Sequence, residues 1–204
     1  MIAAPALGQA VRLAALGLIL AGTAGCVRIG AKPPERLLSI STDARLAPGT
    51  DQSAEAQTAL FVELPDVPKT IATQRVAVRA SSTSYAYVPK ALWVDTPARQ
   101  FQSLLSETIA ARTGRLVLDP GQYMAQSNQV LNGDLIEFGI DAATNRAVVT
   151  YDASLLATDG KTVRRQRFSA TRPVRNISSD QVASPISEAA NEVAGQVSDW
   201  LGKP

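Results

Sequence analysis

Hydrophobic positions change their spacing several times along this chain, and each change predicts a different element. From Leu13 to Gly25 the residues are almost all apolar or small. Arg36–Thr42 (RLLSIST) is a short apolar stretch that predicts a first strand, and Asp43–Thr58, rich in Ala, Gln, Thr, Asp, Pro and Gly, predicts a loop. Ala59–Leu64 is apolar again and is stopped by Pro65 and Pro68. Gln74–Ala80 alternates, with Val76 and Val78 on one face and Arg75 and Arg79 on the other, the period of a half-buried strand. Ser84–Val88 follows as its hairpin partner across a turn at Ser81-Ser82.

Asp95-Thr96-Pro97 then announces a helix. Thr96 is suited to cap the free amides, and proline suits the first helical position. Phe101, Leu104, Leu105, Thr108 and Ile109 recur at helical spacing, and Gly114 is a natural stop. Asn128–Arg172 has room for three strands, with turns near Thr144-Asn145 and at Asp159-Gly160. In the middle strand Ala147, Val149, Tyr151, Ala153 and Leu155 share a face. The apolar parity switches near Asn132-Gly133, which predicts a bulge there. The last strand, Thr162–Thr171, has arginines on both faces, as an exposed edge would. From Ser179 to Leu201 the residues Val182, Ile186, Ala190, Val193, Val197 and Trp200 or Leu201 form one stripe, predicting a second helix. The order predicts an α+β fold: a mainly antiparallel sheet of about six strands packed against two amphipathic helices.

The first apolar run is too short for the roughly 20 residues a bilayer-spanning helix needs, but it fits the core of a secretory signal. Arg12 precedes it, and Thr23-Ala24-Gly25-Cys26 ends it. Small residues directly before a cysteine look like a lipobox, the processing motif of bacterial lipoproteins. Its peptidase admits little bulk, and the cysteine thiol takes the diacylglyceryl group. The expected organisation is a signal peptide over residues 1–25 cut between Gly25 and Cys26, a lipidated tether over 26–35, and one domain over 36–204. Cys26 would carry diacylglycerol and an N-acyl chain such as palmitate, a covalent anchor, with no other cofactor expected. With Val27 rather than aspartate after Cys26, resemblance to the sorting rule of enterobacterial lipoproteins implies the outer membrane, on its periplasmic face.

Composition narrows the chemistry. The chain has 204 residues, 20 basic against 18 acidic, for a formal charge of +2 and no sign of a nucleic-acid partner. There is no histidine, so His-based triads and His-ligated metals are excluded, and with one cysteine no intramolecular disulfide forms. Asp134 and Glu137 are the nearest approach to a paired carboxylate site, but three residues apart on a regular strand they face opposite sides. Neither a Ser-x-x-Lys spacing nor a Gly-x-Ser-x-Gly elbow is present. The reading is of a protein that is not an enzyme.

Laid end to end, these features resemble the ABC-type transport auxiliary lipoproteins. The carrying residues are the lipobox cysteine, Leu60-Phe61-Val62-Glu63-Leu64-Pro65, Gln74–Arg79, Tyr85-Ala86-Tyr87, and Trp93-Val94-Asp95-Thr96-Pro97 running into the helix. Arg36–Ile40 departs from the Tyr-Tyr-x-Leu segment common in that family. The resemblance implies a non-catalytic lipoprotein partner of an envelope ABC system with a mammalian-cell-entry (MCE) type component, moving lipids or other hydrophobic compounds, and a homo-oligomer is compatible with it. The alternative is a periplasmic module that binds lipid or a small ligand itself, which needs a sizeable apolar cavity. Tyr85, Tyr87 and Trp93 are candidate partner-surface residues, since such aromatics anchor interfaces; Trp93 packing over the sheet edge is the competing reading. Arg165 and Arg167, with Arg164, are candidate contacts to an acidic partner or to headgroups, against the reading of a solvated strand edge.

Overall fold

The computed structural model describes residues 36–55, 59–118, 129–156 and 161–202. The expected leader, cleavage site, Cys26, the tether and the Asp159-Gly160 turn lie outside the described residues. Among these described residues seven strands and two helices follow in order: β1 (Leu60–Val62), β2 (Arg75–Ser81), β3 (Ser84–Leu92), α1 (Pro97–Thr113), β4 (Val117–Leu118), β5 (Gln129–Asp141), β6 (Arg146–Leu156), β7 (Val163–Pro173) and α2 (Ala183–Leu201).

The fold is α+β, but its sheet is mixed rather than mainly antiparallel. β5 is its spine. One edge of β5 pairs antiparallel with β6 along nearly the whole strand, and β6 pairs antiparallel with β7. The other edge takes two strands end to end, both parallel: β1 at Gln129–Leu131 and β2 at Gly139–Asp141. Beyond them, β4 adds parallel to β1 and β3 adds antiparallel to β2. Side-chain alternation reports burial and not the direction of a neighbour, so the parallel pairs were invisible to periodicity.

Local chemistry explains the boundaries. Pro97 opens α1, and Gly114, at φ 76, closes it with its N–H on the Ala110 carbonyl. Thr96 stands at the N-cap, but its hydroxyl makes no cap bond. Asp95 orders the entry instead. Its carboxylate accepts the Thr96 N–H at 2.6 Å, and its carbonyl accepts the Gln100 side-chain amide at 2.7 Å. The β5–β6 turn uses Asn145 in the left-handed region, where asparagine is tolerated. The expected bulge is displaced: the β5–β6 register shifts between Leu135 and Glu137, around Ile136, not at Asn132-Gly133.

Both helices cover one face of the sheet. Phe101, Leu105 and Ile109 of α1 and Ile186, Val193 and Val197 of α2 pack with Leu131, Leu135, Phe138, Val149 and Tyr151 in one core. Each fully buried Ile, Val, Leu or Phe contributes roughly 1.5–3 kcal/mol relative to exposure. Phe101 meets Tyr151 edge to face at 5.2 Å between centroids, and Phe168 meets Trp200 at 5.7 Å.

Arg36–Thr42 is not a strand. Leu38 alone bridges to Trp93, after which the segment crosses the helices as a strap. Its backbone is satisfied by helix side chains: Ile40 N–H donates to Gln100, Ser41 N–H to Ser187 and Asp43 N–H to Asn191, while Asn191 donates back to the Ser41 carbonyl. With those partners supplied, no neighbouring strand is required.

Candidate functional site

Helices on one side leave the other face of the sheet open, and that face is polar. Strand alternation brings Arg79 from β2, Glu137 and Asp141 from β5, Arg146, Thr150 and Asp152 from β6, and Arg165, Arg167 and Ser169 from β7 to it. The shift at Ile136 turns Glu137 to the same side as Asp134, so these two carboxylates share a face, contrary to the expectation from a regular strand.

They do not form a proton-sharing pair. Arg79 bridges Glu137 at 2.6 Å and Asp141 at 2.8 Å, and Thr150 donates to the other Glu137 oxygen at 2.8 Å. Further along, Arg167 grips Asp152 with two parallel bonds of 2.5 and 2.7 Å, and Arg165 lies between Asp134 and Asp152 at 3.3 and 3.4 Å. The Arg167 hydrogen bond, with the charges of Arg167 and Arg165, holds the buried Asp152 carboxyl below its ordinary value although burial opposes this. The Arg79 hydrogen bond does the same for Asp141. The face is a ladder of fixed, mutually paired charges.

Arg165 and Arg167 therefore sit on the free edge strand, where they are engaged by Asp152. Arg164 points to the opposite side, 4.7 Å over the Trp200 ring, and donates to the Trp200 carbonyl at the end of α2. Tyr85 and Tyr87 are on the open face at its other end. Tyr85 is 48% exposed, whereas Tyr87 is half-buried, with Arg75 stacked 3.8 Å over its ring and its hydroxyl on the Thr70 carbonyl.

Trp93 is the correction among the aromatics. It is 0% exposed and packs edge-on against Phe138 at 5.7 Å, so it belongs to the core and offers no surface. Simple alternation would place Trp93 beside Tyr85 and Tyr87. A bulge intervenes: Tyr87 pairs with Ala77 but Leu92 with Arg75, Lys90 takes φ 58, and Trp93 is turned to the helix side. Sequence reasoning missed Arg79, Asp141 and Asp152 as members of the ladder, because only cross-strand register joins them.

The pocket over this face, beside Ile71, Ala77, Tyr85 and Val148, has a volume of about 20 Å³, room for a water and not for an acyl chain. A larger cleft of about 410 Å³ runs between the strap and α1, open to solvent and lined mostly by polar residues such as Ser39, Arg45, Arg99 and Gln100. Tyr151 Oη and Trp93 Nε1 are buried with no hydrogen-bond partner among the described residues, and burial, with smaller contributions from Asp134 and Glu63, pushes the Tyr151 phenol well above its ordinary value. Among the described residues no helix is long and apolar enough to cross a membrane.

Comparison with known proteins gives three findings. The family model of the ABC-type transport auxiliary lipoprotein component matches residues 42–198. Among solved structures, protein XCC0632 from Xanthomonas campestris is similar at 18% identity with a TM-score of 0.65, covering 81% of this chain and 94% of that one. A crystal structure of an uncharacterized protein is similar at 16% identity and a TM-score of 0.61, covering 72% and 94%. At such identities the two structures show the shared fold alone. No curated protein matches the sequence.

Proposed function

This chain belongs to the ABC-type transport auxiliary lipoprotein family, and from that membership we propose a non-catalytic subunit, anchored through acyl chains on Cys26, that serves an envelope ABC system with an MCE-type component. Its cargo on this reading is lipid or another hydrophobic compound, and its station is the periplasmic face of the outer membrane. The observation that carries the reading is the family match over nearly all of the folded body, joined to the lipobox Thr23-Ala24-Gly25-Cys26 a short way upstream.

Physical chemistry supports the anchored, non-catalytic docking role. One acyl chain holds a protein to a bilayer marginally, at about 0.8 kcal/mol per buried methylene, whereas two or three hold it stably. Confinement beside the membrane raises the effective concentration of the domain for a partner that spans the envelope. The carboxylates of Asp141 and Asp152, held low by arginines, are ill matched to proton transfer near neutral pH, which favours a structural rather than an acid–base role. The packed core and the water-sized pocket favour docking over carriage of lipid inside the domain.

The experiment is affinity capture of the full-length lipidated protein from its native envelope after crosslinking, with intact mass measured in parallel. The expected result is acyl mass on Cys26 and recovery of a permease, an ATPase and an MCE-type subunit. Capture that is efficient yet lacks every transport component overturns the transport assignment, and an unmodified Cys26 overturns the anchoring.

A further inference from the structure

The point where the folded body begins is marked by apolar side chains left in water. Leu38 N–H donates to the Leu92 carbonyl at 2.7 Å and Val94 N–H donates to the Leu38 carbonyl at 2.8 Å, a parallel bridge that buries Leu38 and Trp93 together. The residues next to the bridge must then point the opposite way. Leu37 does so at 51% exposure and Val94 at 45%, with half-buried Leu92 between them on the same side. Two of the large apolar side chains that remain exposed among the described residues are thus brought side by side by one bridge.

Their position says what covers them. Leu37 is separated from Cys26 by only the ten residues 27–36, so even a fully extended chain, at about 3.3–3.6 Å per residue, keeps this corner within roughly 40 Å of the anchor. The connecting sequence is net basic, with Arg28, Lys32 and Arg36 against Glu35. Arg75 stands opposite Leu92 in the β2–β3 pairing and adds another cation at the same corner. The nearby acid, Asp95, has its carboxylate turned onto the Thr96 N–H, and Asp180 lies close enough to feel Arg36. Apolar side chains flanked by Arg36 and Arg75 at the root of a net basic tether match an interface of acyl chains below anionic headgroups, which attract basic residues near the surface.

We propose that this corner, Leu37, Leu92 and Val94 flanked by Arg36 and Arg75, rests on the phospholipid surface that holds the Cys26 anchor and so fixes the orientation of the domain. The inference rests on the lipidation reading above and adds to it a defined contact between protein and membrane.

The test uses the full-length lipidated protein in vesicles of phosphatidylethanolamine and phosphatidylglycerol, with a polarity-sensitive label on Val94→Cys. Cys26, being acylated, takes no label. A label on Gln166→Cys, on the far edge strand, is the reference. The expected result is blue-shifted emission at position 94, quenched by nitroxide lipids, with no shift at 166. Adding Leu37→Asp should abolish the shift at 94 while the protein still floats with the vesicles. Flotation with a label at 94 that remains in water overturns the contact and leaves the anchor standing. Failure to float overturns both.

Discussion

Gly133 shows how much one missing methyl group decides. It sits opposite Ala153 in the β5–β6 ladder, and a Cβ there would stand 2.0 Å from the Asp152 carbonyl oxygen and 2.9 Å from the Tyr151 ring. Neither neighbour is the free end of a flexible side chain. Gly133→Ala is expected to destabilise the domain by about 1–3 kcal/mol, the usual cost of overpacking, read as a lower midpoint in thermal or urea unfolding. An unchanged midpoint would mean that β5 and β6 run further apart. The same stretch shows what sequence can and cannot say about single residues. The parity switch between Leu135 and Phe138 is legible, but Leu135 and Ile136 are consecutive apolar residues, so the switch cannot be located, and the glycine draws attention to the wrong place. Trp93 misled for a related reason. Its face is set by a bulge around Lys90 that no hydrophobic pattern announces.

Among elements, the helices and antiparallel hairpins were legible because their signals are local: Pro97 and Gly114 bracket α1, Asn145 makes a turn, and the Val182–Leu201 stripe has one period. Those that depend on distant partners were not. The parallel pairing of β1 and β2 with β5 is one case, and the strap is the other, since a short apolar run reads as a strand until its hydrogen-bond partners are known to be side chains. Asn191 holds the strap from both sides, accepting from Asp43 N–H at 2.8 Å and donating to the Ser41 carbonyl at 2.7 Å. Asn191→Ala should therefore leave α1 and β5 intact while the Asp43 amide exchanges with solvent about fivefold faster, given a net contribution near 1 kcal/mol per hydrogen bond. Exchange at Asp43 that does not change would show that Gln100 and Ser187 suffice.

For the whole molecule, the charge ladder ties stability to acidity. Asp141 and Asp152 have folded-state values below the ordinary 3.8, so the folded form binds fewer protons than the unfolded chain in the acid range. Their contribution is complete above about pH 5 and is lost as pH falls through 3.8 toward the depressed values. Chemical denaturation at stepped pH should show stability declining below pH 4 to 5, with a shallower decline in Asp152→Asn. An equal slope in that variant would remove Asp152 from the account. A final consequence follows from the central strand. Because β5 carries β6 on one side and both β1 and β2 on the other, no cut through the sheet yields a half with its own complete set of partners. Melting should be all-or-none, and a protease patrolling the envelope would meet either an intact body or a wholly digestible chain, with no long-lived trimmed fragment between.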